Sequence, residues 1–374
     1  MKNKTKLSLF LLLLVLSVLM AANFRLRASA PSSAGGAALP VGQTVQINAP
    51  LGLPPVPIPA DNPPTADTIA LGRRLYYDPQ LSADGTISCA SCHAPQFAFS
   101  DEHPVSFGVG KKTGNRHSPT VINSAYNLLQ FWDGRAPSLE EQAKGPMANP
   151  VEMAHTLDGV VKHLQADPEY VALFKKAWGT DQINMDMVAK SIASFERTVI
   201  AGDSPFDRYY YGHDKKALSP AAQRGLKLFT DPKKANCEVC HTIGETSALF
   251  TDNKFHNLGI GADLQGKLND VGRFNETKKD EDMGCFKTPT LRNLAHRAPF
   301  MHDGSFPTVK DTLAHYIGGG NKNDHLDKEI HALDFLTFDE RDDLLQFLDS
   351  LNGKLPENVG PPPDLALRTP GSAR

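Results

Sequence analysis

The chain has 374 residues, 40% of them hydrophobic and 22% charged, the proportions of a globular protein long enough for two domains. A formal charge of -3, with no basic-aromatic stripe, excludes the nucleic-acid and membrane-surface binding classes.

Lys2, Lys4 and Lys6 precede an apolar run from Leu9 to about Ala22, and Ala28-Ser29-Ala30 follows as a cleavage-like site. This is an export-signal pattern over residues 1–30, either cleaved or retained as an N-terminal membrane anchor. The run is short for a membrane span. Export predicts a periplasmic location, where thiols normally pair as disulfides. Residues 31–63 are rich in Pro, Ala and Gly and read as a flexible linker. Helical signals then dominate, so the fold class expected is mostly α. Val188, Ile192, Phe195 and Val199 fall on one helix face, and Thr337 and Glu340 form a capping-box pattern before Leu344, Leu348 and Leu351. Asp167-Pro168 and Gly202-Asp203-Ser204-Pro205 are breakers, the second marking a boundary between domains at 64–204 and 205–355. A Pro-rich, extended tail is expected over 356–374.

An internal repeat supports that division. Gly72-Arg73-Arg74-Leu75-Tyr76-Tyr77-Asp78-Pro79 and Gly225-Leu226-Lys227-Leu228-Phe229-Thr230-Asp231-Pro232 both fit G-x-x-L-[YF]-x-D-P. Each leads within twenty residues to a C-x-x-C-H motif, Cys89-Ala90-Ser91-Cys92-His93 and Cys237-Glu238-Val239-Cys240-His241. Such a motif offers two thiols for thioether bonds to haem vinyl groups and an adjacent imidazole for the iron. Thioredoxin-like pairs would not require His in both copies, and no βαβ pattern surrounds them. Two covalently bound c-type haems are expected, one in each of two cytochrome c-like helical domains, with His93 and His241 as iron ligands. Cys285 stands alone and reads as a buried small side chain.

Two longer blocks carry a resemblance. One runs from Ser118-Pro119-Thr120-Val121-Ile122-Asn123 through Gln130-Phe131-Trp132-Asp133-Gly134-Arg135 and Gln142-Ala143-Lys144-Gly145-Pro146 to Asn149-Pro150-Val151-Glu152-Met153. The other is Phe286-Lys287-Thr288-Pro289-Thr290-Leu291-Arg292-Asn293 with Ala298-Pro299-Phe300-Met301-His302-Asp303-Gly304. Over roughly residues 64 to 355 the chain resembles the bacterial di-haem cytochrome c peroxidases and the MauG-type oxidases.

The resemblance implies that the N-terminal haem is the hydrogen peroxide site. It places Glu152 as the acid-base carboxylate, Gln142 as the amide that positions peroxide, and Trp132 as the aromatic between the haems. It also implies a calcium ion between the domains, held by the side chain at His117 and the carbonyls of Arg297 and Pro299. Imidazole suits so hard a cation poorly. The loop His that closes the peroxide haem in many relatives is replaced by Val109, with His103 nearby but out of register. At the C-terminal haem the sixth-ligand position holds Tyr316, as in MauG, with Met301 and His315 as alternatives.

The expected function is reduction of hydrogen peroxide at the N-terminal haem, with electrons passed through the C-terminal haem from a small exported cytochrome c or cupredoxin. One alternative is a MauG-like oxidase that modifies side chains of a protein substrate through a high-valent di-haem state. Another is a non-enzymatic di-haem electron carrier. The resemblance allows a homodimer.

Overall fold

In each half of the chain an early helix carries a glycine that meets the backbone of the helix that closes that half. The computed structural model describes residues 38–366. Its longer helices are α1 (Ala66–Tyr77), α2 (Leu139–Ala148), α3 (Leu157–Ala166), α4 (Pro168–Trp178) and α5 (Met185–Glu196). They continue with α6 (Pro205–Tyr210), α7 (Pro220–Thr230), α8 (Val309–Ile317) and α9 (Phe338–Asp349). Sheet among the described residues is limited to one antiparallel pair, β1 (Phe255–His256) and β2 (Phe286–Lys287).

The repeat now has a physical reason. A Cβ on Gly72 of α1 would lie 1.8 Å from the Ser191 carbonyl of α5, and one on Gly225 of α7 would lie 2.0 Å from the Asp343 carbonyl of α9. Glycine in that motif is what lets the two helices of each half touch. The motif's Asp ends the helix and turns the chain: Asp78 accepts from the Gln80 amide, and Asp231 from the Lys233 amide. The duplication extends beyond the two short blocks. Gln130 bridges Ala136 as Phe300 bridges Phe306, so the segments before α2 and α8 run in the same register.

The helix signals read from sequence are found in place. Asp167 ends α3 and caps α4, whose first residue is Pro168. Ser204 caps α6 ahead of Pro205, and Thr337 with Glu340 forms a reciprocal capping box on α9. Val188, Ile192 and Phe195 are buried on α5, which is buried all round from Met187 to Glu196 rather than on one face, and Val199 is buried beyond the helix's end. In the second half Phe206, Phe229, Phe250 and Phe347 meet edge-on or tilted, giving that core its aromatic centre.

The linker expectation needs correction from Leu39 onward, where the chain belongs to one compact unit. Asn62 is wholly buried, donating to Glu140 at 2.8 Å and to the Lys190 carbonyl at 3.0 Å, and Leu53 packs with Tyr126 and Ile200. Composition suggested flexibility, but polar partners in α2 and α5 and an apolar niche fix the segment. The tail expectation also needs correction: Glu357–Val359 form a 3-10 turn and Pro363–Ala366 a short helical turn, and the segment is docked, Tyr77 donating to the Val359 carbonyl and Arg73 to those of Gly360 and Pro361. The export segment 1–30 lies outside the described residues. No described helix is long and apolar enough to cross a membrane.

Candidate functional site

Both C-x-x-C-H motifs open onto one continuous cavity. Cys89–Cys92 is a single helical turn started by a Ser88–Ser91 capping box, and the His93 amide closes onto the Cys89 carbonyl at 3.0 Å. In the second copy the His241 amide closes onto Cys237 at 2.9 Å. This tight turn is what brings the imidazole next to the two thiols. His241 Nδ1 faces the Phe250 carbonyl at 2.9 Å, which leaves Nε2 free for a metal. His93 Nδ1 is buried near the Phe99 and Pro119 carbonyls but completes no hydrogen bond of ordinary geometry. Burial pulls both imidazoles down to about 4, so each is neutral and able to ligate.

On the N-terminal side, α2 carries Gln142 into the cavity and the turn after it brings Glu152. Asn149 Nδ2 donates to Glu152 Oε1 at 2.6 Å. Burial raises the Glu152 carboxyl above its ordinary value, while the Asn149 hydrogen bond and the Arg135 charge pull the other way. The Val109 amide donates to the Glu152 carbonyl at 2.8 Å. Beside it, a Cβ on Gly108 would stand 2.2 Å from the Val151 carbonyl. His103 is half-exposed and bonded to Asp101 through Nδ1 at 2.9 Å. Trp132 also lines the cavity, its indole N–H donating to the His117 carbonyl at 2.8 Å while its own carbonyl accepts from Lys287.

On the C-terminal side, Tyr316 of α8 lines the cavity, with burial and the nearby Cys237 and Cys240 raising its phenol. His315 on the same helix instead points Nε2 at the Leu258 carbonyl, 3.0 Å away. Met301 remains among the lining residues. Cys285 is buried and lone. Cys240, Asp252 and His256 cluster closely enough to hold a metal. However, His256 is already held by Asp252 at 3.0 Å and Asp327 at 2.5 Å.

A sequence model of the di-haem cytochrome c peroxidases matches residues 66–215. Over 302 residues the chain is 40% identical to the methylamine utilization protein MauG of Methylorubrum extorquens, covering 80% of this chain and 82% of that protein. The chain belongs to the di-haem cytochrome c peroxidase family. It is also 39% identical over 308 residues to the cytochrome c peroxidase Ccp of Escherichia coli, across 80% of this chain and 61% of that one. The crystal structure of a MauG-like protein associated with microbial copper homeostasis superposes with a TM-score of 0.74 at 31% identity, over 85% of this chain and 97% of that chain. The protein is thus a di-haem peroxidase or oxidase, which sets the electron-carrier reading aside.

The residues fit the two haems that the di-haem peroxidase family implies. Four free thiols in pairs and two neutral imidazoles, whose Nε2 atoms make no hydrogen bond among the described residues, surround one cavity. They do not fit calcium. His117 has Nε2 engaged with Ser100 Oγ at 3.0 Å and Nδ1 with the His103 carbonyl at 3.0 Å, and Arg297 brings a buried guanidinium to the same region.

Sequence reasoning missed Glu196, Lys287 and Arg297 as charges facing the cavity. Glu196 ends α5 with Oε2 buried and unpartnered, and burial pushes its carboxyl up to about 8. The available signal was an acid directly after Phe195, on a helix whose other residues read as core.

Proposed function

We propose that this enzyme reduces hydrogen peroxide at the His93 haem, with electrons passed through the His241 haem from a small exported cytochrome c or cupredoxin. The observation that carries the reading is the half-buried Glu152 carboxyl, lining the same cavity as His93 and held by Asn149. Attached through Cys89 and Cys92 and through Cys237 and Cys240, the haems would supply one-electron redox centres for the two electrons that, with two protons, turn one peroxide into two waters.

The chain's own groups then handle protons and position. Glu152 takes a proton from the peroxide oxygen nearer the cofactor and returns it to the departing oxygen, a transfer suited to a carboxyl whose affinity burial has raised. Gln142 presents its amide to the outer oxygen. Asn149 occupies one carboxylate oxygen, so the other is free for the transfer. Trp132, which lines the same cavity and is fixed by its bond to His117, would carry electrons between the two haems. The export-signal pattern read over residues 1–30 supports a periplasmic location for the reaction.

Tyr316 favours a second reading, a MauG-like oxidation of protein side chains. A phenolate ligand would stabilise the oxidised cofactor and make it a poorer acceptor for donor electrons. Mixing the holoprotein with peroxide and a reduced cupredoxin or small cytochrome separates the two. Oxidation of two donors per peroxide supports the first. Slow donor oxidation with a new covalent change in a protein side chain, seen by mass spectrometry, replaces it with the second. No peroxide consumption at all sinks both.

A further inference from the structure

Buried cations in this protein are, as a rule, matched by carboxylates. Lys190 lies 3.1 Å from Asp61 and from Asp186, Arg197 2.8 Å from Glu140, and Arg292 2.8 Å from Asp207. Lys287 and Arg297 break the pattern. They are 9% and 8% exposed, both line the cavity shared by the two C-x-x-C-H motifs, and neither has a carboxylate within 4.0 Å among the described residues. Among the described residues, Lys287 Nζ finds only Asn127 Oδ1, at 3.3 Å. Arg297 spends one nitrogen on the carbonyls of Thr290 at 3.0 Å and Arg292 at 3.5 Å.

The two are also close enough to repel each other, and Arg297 acts on His117 and His241 as well. Asp252 is the acid that acts on Lys287, but its carboxylate is committed to His256 and the Lys254 amide. Burial drives Lys287 down to about 8 and Arg297 to about 10. Buried cations gathered along one cavity without counter-ions are costly unless an anionic ligand joins them.

We propose that Lys287 and Arg297 bind carboxylate arms of the haems, and that their charge takes the place of the divalent cation that the family resemblance assigns to positions 117, 297 and 299. The cofactor is the one ligand already implied that brings carboxylates into this cavity. His117 has no ring nitrogen to spare, and Arg297 would repel a metal ion. The proposal rests on the di-haem reading of the site.

Haem content of the full-length holoprotein is measured first, because a failure to find two haems per chain would count against that reading and not against this one. Potentiometric titration then follows Lys287→Met and Arg297→Met. Losing a cation beside carboxylates favours the ferric state, so the midpoint potential of at least one haem falls, by about 59 mV for a tenfold shift in the one-electron equilibrium. Lys287→Arg and Arg297→Lys keep the charge and should hold the wild-type potentials, which a packing role alone would not require. Elemental analysis of the wild type should find no stoichiometric calcium, and dialysis against a chelator should leave its spectra unchanged. Unchanged potentials in both methionine variants would overturn the proposal. So would stoichiometric calcium whose removal alters the spectra, a measurement that still decides if the methionine variants fail to load haem.

Discussion

Val109 and Glu152 are joined through their backbones, the amide of the first donating to the carbonyl of the second at 2.8 Å. The loop on which many relatives carry a closing His is thereby tied beside the carboxylate, with a valine that offers no ligand atom. Gly108 permits the approach, since any side chain there would strike Val151 and Glu152. The ferric holoprotein is expected to show a high-spin component in electron paramagnetic resonance and to react with peroxide before any reduction. An all-low-spin spectrum, with no stopped-flow change until one electron is added, would refute this. Gly108→Ala should slow the same reaction while leaving haem content intact.

Glu152→Gln removes the proposed proton carrier and keeps the shape. Peroxide activation should slow by roughly a hundredfold or more, the scale of a lost acid-base group, with haem loading unchanged. Stopped-flow rates equal to the wild type would assign the proton transfer elsewhere.

Tyr316 is the ring on α8 that faces the cavity, whereas His315 is spent on the Leu258 carbonyl. The wild type should lack the near-infrared charge-transfer band of His-Met haem, and Tyr316→Met should bring it in and raise the potential of that haem. Finding the band in the wild type would instead identify Met301 as the ligand.

Glu196 predicts a pH dependence of stability. Its folded carboxyl titrates at about 8 against an ordinary value of 4.5, raised first by burial, then lowered by Arg197 and raised by Glu140. Between those values the folded state holds a proton that the unfolded chain releases. Its contribution is therefore complete below the unfolded value and is lost as pH rises through about 8. Denaturant unfolding of the holoprotein across this window should show stability falling with pH, and Glu196→Gln should flatten that dependence. An identical slope in the variant would mean that another group carries it.

Much of this was legible in the sequence, because short-range chemistry writes itself locally. Thioether attachment forces two Cys and a His into five residues, and the helix caps at Thr337 and Ser204 lie within a turn of what they cap. Asn62 was unreadable because its partners, Glu140 and Lys190, lie 78 and 128 positions away. Lys287 and Arg297 were named only within a familiar motif and a backbone ligand set. Their importance lies in what surrounds them, and a missing counter-ion leaves no mark on a sequence. The same holds for the tie between Val109 and Glu152: the substitution was visible, but not the bond that anchors the loop.

The matched bridges, Gln130 to Ala136 and Phe300 to Phe306, let the two halves be laid over one another residue by residue. Held in that register, Pro146 of α2 stands where Tyr316 of α8 stands. One ancestral scaffold thus ends up with a side chain that has no donor atom at this position and, in its copy, a phenol. A gene duplication that kept the glycine helix crossings could therefore make its two copies chemically unlike by changing this single position.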